Sequence, residues 1–501
     1  MLEVILSFGP ALVTVFSGLN PILLLFGAIV GLVVGILPGI GGVVALSLLI
    51  PFSWGMDPTS AMIMMGASMG AVSYGGSITS ILLNVPGTAP NVSTLLDGYP
   101  MTVKGKAGVA LGASASSSVL GSLFGVIVLV VLIPVVAALL LSFGPAEFFM
   151  LAVLGIASIA FLTTGNIFRS LFAGAIGLML GVVGLDPITG ADRFTFGTIY
   201  LLDGISYTAA VMGLFAISEA FKLGMGGYKT VAKVKTEQKF SDVLEGILSP
   251  IRHLALFIQS SVIGTVIGII PGVGGTVAGI LAWIAGAATS SKKAKFGTGV
   301  VEGVIASEGA ICAKDGGALL PTVAFGIPGS AEMAVLLGAF TLHGLQPGPG
   351  LLSTQLPTVS ALILALVFAC VIVTVIGVFA ARYLAKISMI PGYIIAPIIV
   401  ILCLVGAYAI KQSIWDSFVT LMMGILAFFM MKWGFSRMTL ALGLIMGEIA
   451  EQNLGLTLQI SNTGPLIFFT RPISLILFIS IVAIAVLAIM VSLRKRSKGN
   501  A

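Results

Sequence analysis

The eight residues GILPGIGG at Gly35–Gly42 return as GIIPGVGG at Gly268–Gly275. Each copy lies inside a long apolar run, where one proline and four glycines are poor helix material. We therefore read Pro38, Gly39, Gly41 and Gly42, and Pro271, Gly272, Gly274 and Gly275, as breaks that turn the chain back in a hairpin. Interrupted apolar segments at corresponding positions of two halves point to a membrane protein with a polar site between its halves.

Composition agrees. Of 501 residues, 58% are hydrophobic and only 8% charged, and mean hydropathy is +1.17. A water-soluble domain could not coat that much apolar surface with so few charges. Apolar stretches separated by short charged loops predict about 11–12 membrane spans. The net charge of +6 sits in loops between spans, which argues against nucleic-acid binding. The start, Met1-Leu2-Glu3, lacks the basic region of a signal peptide, so no cleavage is expected. Cys312, Cys370 and Cys403 lie in apolar context without CxxC spacing and read as small buried hydrophobes. With two histidines and no HExxH, no metal site is expected.

A second pair of landmarks strengthens the duplication. YGGSITSILLNVPGT (Tyr74–Thr88) corresponds to DGGALLPTVAFGIPGS (Asp315–Ser330), with a one-residue difference between Gly-Gly and Pro-Gly. Repeat 1 is placed at 20–222 and repeat 2 at 253–460. A periplasmic or interfacial segment, 1–19, precedes them, a cytoplasmic linker, 223–252, joins them, and an extra helix with a basic tail, 461–501, follows.

Equivalent loops carry opposite charge patterns. WGMDPTS (Trp54–Ser60) has one acid and no base, whereas its counterpart SSKKAKF (Ser290–Phe296) has three lysines. Lys104 and Lys106 follow the first NVPGT, whereas HGLQPGPG (His343–Gly350) is uncharged. Cytoplasmic loops collect Lys and Arg, so the repeats are expected to be inverted. Alternating the spans places twenty of the 24 basic residues inside, leaves Arg193, Lys411 and Arg471 outside, and keeps Lys314 in the membrane. This predicts an outside N-terminus and a cytoplasmic C-terminus. The tail RKRSK reads as an anchor beside anionic lipid. The segments at 43–52, 276–289, 78–85 and 319–327 are short and flanked by glycine or proline, and are read as re-entrant hairpins or discontinuous helices.

Polar residues gather at these breaks. In the first half, Ser73, Gly75, Gly76, Ser77, Thr79, Asn84, Gly87 and Thr88 form an uncharged set. Backbone N–H groups and helix starts there could receive a carboxylate. The same small polar residues could instead let helices pack closely and hydrogen-bond. The second half adds Gly316, Gly317, Gly329 and Ser330 together with buried-context charges. Ionisable groups at membrane depth are costly and default to function. Asp315 and Glu308 are candidate ligands for a coupling Na⁺ or proton, and Lys314 a counter-charge for substrate; a structural ion pair is the alternative. A channel would require a continuous polar stripe, and an intramembrane enzyme a constellation such as HExxH or GxGD; the sequence has neither.

GILPGIGG, YGGSITSILLNVPGTAP, LDGYPM (Leu96–Met101), GIIPGVGG and GIPGSAEMAVLLGAF (Gly326–Phe340), in that order, resemble the large membrane subunit (TctA) of the tripartite tricarboxylate transporter family. The resemblance covers essentially the whole chain. It implies an all-α polytopic fold and elevator-like movement of two hairpin units. It also implies cation-coupled uptake of a di- or tricarboxylate across the bacterial inner membrane. A small TctB-like membrane subunit and a TctC-like periplasmic binding protein are the implied partners, and no cofactor beyond the coupling ion. A stand-alone organic-anion carrier is the closest alternative. The run Ile311-Cys312-Ala313-Lys314-Asp315 departs from the Asn-rich stretch that family members often carry there.

Overall fold

The computed structural model describes residues 2–140, 142–162, 167–186, 189–225, 240–290, 295–387, 390–461 and 464–499. Lys229, Lys233, Lys235, Glu237 and Lys239 of the linker, and Lys292 and Lys293, lie outside the described residues. The first half runs α1 (Leu2–Val15), α2 (Asn20–Ile36), α3 (Gly41–Ser53), α4 (Pro58–Leu83), a 3₁₀ turn (Ala89–Asn91) leading into α5 (Val92–Val103), α6 (Ala107–Leu140), α7 (Pro145–Leu162) and α8 (Ile167–Gly181). A two-residue antiparallel ribbon, β1 (Gly184–Leu185) with β2 (Asp192–Arg193), precedes α9 (Tyr207–Val211) and α10 (Ser218–Met225), which are joined by a π-helical turn, Met212–Ile217.

The second half repeats that order. It consists of α11 (Phe240–Arg252), α12 (Leu254–Ile269), α13 (Gly274–Thr289), α14 (Val301–Phe325), α15 (Ala331–Leu342), α16 (Leu356–Leu384), α17 (Gly392–Lys411), α18 (Ile414–Trp433) and α19 (Arg437–Ile460). The short α20 (Ile467–Thr470) and α21 (Pro472–Gly499) follow. Among the described residues, five helices are long and apolar enough to cross a membrane, and three bent pairs pass the same test together. Two of those pairs correspond between the halves: α1–α2 bends by 84° and α11–α12 by 74°.

α4 and α14 form the centre. Every residue of α4 from Ala61 to Leu83, and of α14 from Glu302 to Ala324, is buried. Glycines at the contacts explain how other helices surround them so closely. A methyl group on Gly27, Gly31 or Gly35 of α2 would collide with the carbonyl oxygens of Met64, Ser68 and Val72, one turn apart on α4. Gly264 and Gly268 of α12 meet Ala310 and Lys314 of α14 in the same way. Such glycine seams bring helix backbones into van der Waals contact, the main attraction between helices in lipid. The halves also cross over: α4 packs on α16 through Gly66 and Gly70, and α14 packs on α6 through Gly121 and Gly125. Outside this centre, α7 and α8 pack with α19, while α17 and α18 pack with α10 and the π turn.

Loop neighbours follow the charge pattern. The acidic loop after α3 meets the uncharged loop after α15, where His343 Nε2 lies 3.0 Å from Ser53 Oγ. Trp54 Nε1 donates to the Ile410 carbonyl beside Lys411. At another junction, Asp97 in the middle of α5, the helix that leads to exposed Lys104 and Lys106, accepts from Gly297, Gly299 and Val300 in the loop before α14.

Two local features differ from expectation. The Gly75-Gly76 and Gly316-Gly317 pairs are not breaks: α4 and α14 run straight through them. The glycines are there for close approach, Gly75 to the Leu32 carbonyl and Gly317 to that of Thr265. Gly75 therefore corresponds to Gly317 rather than Gly316, and the apparent one-residue spacing difference disappears. The breaks fall at the helix ends, where Asn84 (φ 57°) and Gly326 (φ 69°) adopt the same left-handed cap, a conformation that Asn and Gly tolerate. Second, 240–252, expected as part of the linker, forms α11 and packs on α6, as α1 packs on α16. Asp242 and Glu245 give that segment a linker's polarity, but Val243 and Gly246 sit against α6.

Candidate functional site

Each PGxGG turn is tied to the Pro-Gly turn of its own half. The Gly39 N–H donates to the Gly87 carbonyl at 3.0 Å, and Gly272 N–H to the Gly329 carbonyl at 3.2 Å. Gly39, Gly41, Gly272 and Gly274 all have φ between 72° and 77°, a backbone state in which a side chain is strained. These bonds set the starts of α3 and the 3₁₀–α5 stretch side by side, and likewise α13 and α15.

The two sets meet across a cavity of about 540 Å³. Gly39, Gly41, Gly42, Pro86 and Thr88 line it from one half, and Gly274, Gly275, Thr276, Lys314, Ser330 and Glu332 from the other. Four helical starts thus border one space, each with N–H groups that have no intrahelical partner. Ser330 caps α15 by accepting from Met333 N at 3.4 Å. Thr88, its counterpart, makes no such cap; its hydroxyl instead donates to Asn91 Oδ1.

Charge enters asymmetrically. Lys314, only 2% exposed, holds Asp315 at 2.5 Å and Glu332 at 2.9 Å. Two carboxylates around one ammonium make a compact group whose members balance most of one another's charge. Glu308 lies deeper, fully buried, and accepts from Ser77 (2.6 Å), Thr94, Ser118 (3.0 Å) and, at 3.5 Å, Asn91.

The remaining sequence candidates are spread around these two centres. Ser73 contributes its carbonyl to Asn91 Nδ2 at 3.1 Å. Thr79 turns its hydroxyl onto the Gly76 carbonyl. Gly76 packs beneath Gly87, Thr88 and Asn91, and Gly316 against Gly125. Asn84 is exposed at its helix cap and does not line the cavity. Pro38 and Pro271 lead into the left-handed glycines without lining it.

One wall of the cavity is not foreshadowed by the sequence motifs. Phe215 of the π turn, Glu219 and Lys222 of α10, and Arg437 of α19 complete the lining. Arg437 binds Ser218 at 2.7 Å and Glu219 at 2.8 Å, and stacks over Phe215 at 5.6 Å. In the sequence alone both cations read as loop charges. Asp97 is a second residue that sequence reasoning misses. It is fully buried and accepts from Trp283 Nε1 at 2.8 Å and from three loop amides. It lies inside the LDGYPM stretch, but that motif gives no sign of whether the acid is buried or at the surface.

Apolar helices of spanning length arranged around an internal polar cavity define a multi-pass membrane protein. The chain belongs to the tripartite tricarboxylate transporter TctA family, whose model matches residues 22–442. Among its relatives is an uncharacterized 52.8 kDa protein from the TAR-I ttuC' 3' region of Agrobacterium vitis. That protein is 30% identical over 99% of both chains. An uncharacterized protein from the TAR-II ttuC' 3' region of the same organism is 28% identical over 46% of this chain and 96% of its own length. No solved structure matches.

Proposed function

We propose that this chain is the large membrane subunit of a binding-protein-dependent carrier that takes up an organic di- or tricarboxylate with a coupling cation, Na⁺ or H⁺. The observation that carries the reading is the convergence of four helix starts, with Thr88 from one half and Ser330 from the other, on one cavity. Helix starts bind anions through free N–H groups and the helix dipole, without the desolvation cost of an unpaired buried cation. Lys314 adds positive charge at the wall, shared with Asp315 and Glu332. Asp315 and Glu308 are the acidic groups at membrane depth available to the coupling cation.

The two halves act as inverted repeats in the inner membrane, with the N-terminus outside and the C-terminus cytoplasmic. The matched bends, the matched Gly–Gly bonds and the contact between two loops that lack lysine, after α3 and after α15, support this. The hairpin units around α4 and α14 move, elevator-like, against the outer helices α7–α10 and α17–α19. A TctC-like periplasmic protein delivers substrate and a TctB-like subunit completes the complex.

Uptake of labelled citrate, malate and succinate into proteoliposomes, with and without a Na⁺ gradient, a proton gradient and binding protein, tests the reading. Accumulation that requires a cation gradient is the expected result. Equal leakage of all three acids down their own gradients would favour a channel and overturn it.

A further inference from the structure

We infer that the coupling ion is a proton carried by Glu308, and that Asn91 links its binding to occupancy of the cavity. This deepens the carboxylate reading and rests on it.

The arrangement around Glu308 is uneven in a way that suits a neutral acid. Oε1 receives three donors: Ser77, Thr94 and the Asn91 amide. Oε2 meets a single group, the Ser118 hydroxyl at 3.0 Å. A hydroxyl can accept as well as donate, so Oε2–H can donate to Ser118 while Oε1 acts as the carbonyl oxygen. No basic side chain pairs with Glu308 among the described residues. The groups facing it are neutral hydroxyls from α4, α5 and α6 and the Asn91 amide of the 3₁₀ turn. Within electrostatic reach are Tyr74 on α4, Cys370 on α16 and Cys312 on its own helix. Asp315, further along the same helix, is neutralised by Lys314. An isolated carboxylate in such a place is very costly, and taking up a proton removes the cost.

Asn91 joins this acid to the cavity. Its Oδ1 accepts from Thr88, a lining residue. Its Nδ2 donates to Ser77 Oγ at 2.8 Å and to the Ser73 carbonyl at 3.1 Å, and faces Glu308. The donor face of the amide is thus turned to the acid, which disfavours a metal ion, since an amide nitrogen is not an Na⁺ ligand. An anion entering the cavity competes for the Thr88 hydroxyl. Asn91 Oδ1, deprived of its donor, can then turn toward Glu308 Oε1, where it repels a carboxylate and accepts from the carboxylic acid once the proton has moved from Oε2 to Oε1. Anion and proton therefore each favour the other, and linkage makes the effect reciprocal. One proton is taken from water on the outer side, held as the carboxylic acid, and returned to water on the inner side with the anion.

The test uses the full chain in lipid nanodiscs. Infrared spectra of wild type should show the carbonyl stretch of a protonated carboxylic acid that is lost in Glu308→Gln and retained in Asp315→Asn. Citrate binding, measured by calorimetry above the range where citrate itself titrates, should weaken with rising pH, by up to tenfold per pH unit for one linked proton. Glu308→Gln and Thr88→Val should flatten that dependence, Thr88→Val while keeping the infrared band. The inference is overturned if the band is absent from wild type, if Na⁺ tightens citrate binding in wild type but not in Glu308→Gln, or if Asp315→Asn alone flattens the dependence. Retention of the band with no binding of citrate, malate or succinate at any pH would instead count against the carboxylate reading.

Discussion

The Gly39 amide and the Gly87 carbonyl are joined at 3.0 Å, and Gly272 and Gly329 repeat the bond in the second half. The bond fixes where two helices of each unit begin, and so fixes the wall of the cavity. Gly87 has no space to spare: a methyl there would strike the Gly35 carbonyl and the Gly76 backbone. Gly329 is also confined, though less tightly, its nearest atoms being Ala318 Cα and the Gly268 carbonyl at 2.7 Å from an added Cβ.

Gly87→Ala and Gly329→Ala should therefore each destabilise the protein by about 1–3 kcal/mol, the usual cost of overpacking. Thermal unfolding in detergent reads the loss. Gly350→Ala, with nothing within 4 Å of the added methyl, should melt like wild type.

Lys314 is the only cation touching Asp315 and Glu332 in the described ion pairs. Lys314→Met leaves buried Asp315 and partly buried Glu332 without the cation they share, and breaking a buried pair this way costs about 3–5 kcal/mol. The triple variant Lys314→Met, Asp315→Asn, Glu332→Gln should regain most of that stability. Comparing the folded yields of the two variants by size-exclusion profile checks this. A triple variant no better than the single one would contradict the balance described.

Asp97→Asn replaces an acceptor of four N–H groups by an amide that must present its own N–H₂ to some of them. A loss of about 2–3 kcal/mol is expected, the scale of a hydrogen bond to a charged group. Because Trp283 is one of the donors, its fluorescence should shift. The loop at 295–300 should become open to proteolysis while α5 stays folded.

Single cysteines at Asp57 and Lys295 probe equivalent loops of the two halves. The three native cysteines are buried and free, so the background is low. A membrane-impermeant maleimide added to intact cells should label Asp57→Cys and spare Lys295→Cys until the membrane is opened. Labelling of both from one side would mean the repeats are parallel.

Much of this architecture is legible in the chain itself. The PGxGG turns stand out because a proline and several glycines inside an apolar run can hardly do anything but bend it. The opposed loop charges of Trp54–Ser60 and Ser290–Phe296 carry an expectation of opposite sides, because lysine marks a side of the membrane. Gly75-Gly76 misleads for a physical reason: glycine serves both helix breaking and close helix packing, and only the carbonyl of Leu32 distinguishes the two uses. α11 is hidden because its polar face resembles a linker when its partner α6 is not known. Arg437 and Lys222 pass unnoticed because a basic residue at a helix end usually marks topology. Their place in the cavity depends on α10 and α19 coming together from opposite halves of the chain. Glu308 stands out as a buried charge, but the connection through Asn91 to Thr88 belongs to tertiary structure alone.

We propose that the cavity lined by Thr88 and Ser330 holds the transported anion. Ser330→Cys places a thiol on its wall, and the rate of modification by a negatively charged methanethiosulfonate reports access to it. A carboxylate taken up in proteoliposomes should markedly slow that modification, while a carboxylate that is not taken up should leave it unchanged. Equal rates with and without the transported carboxylate would contradict it.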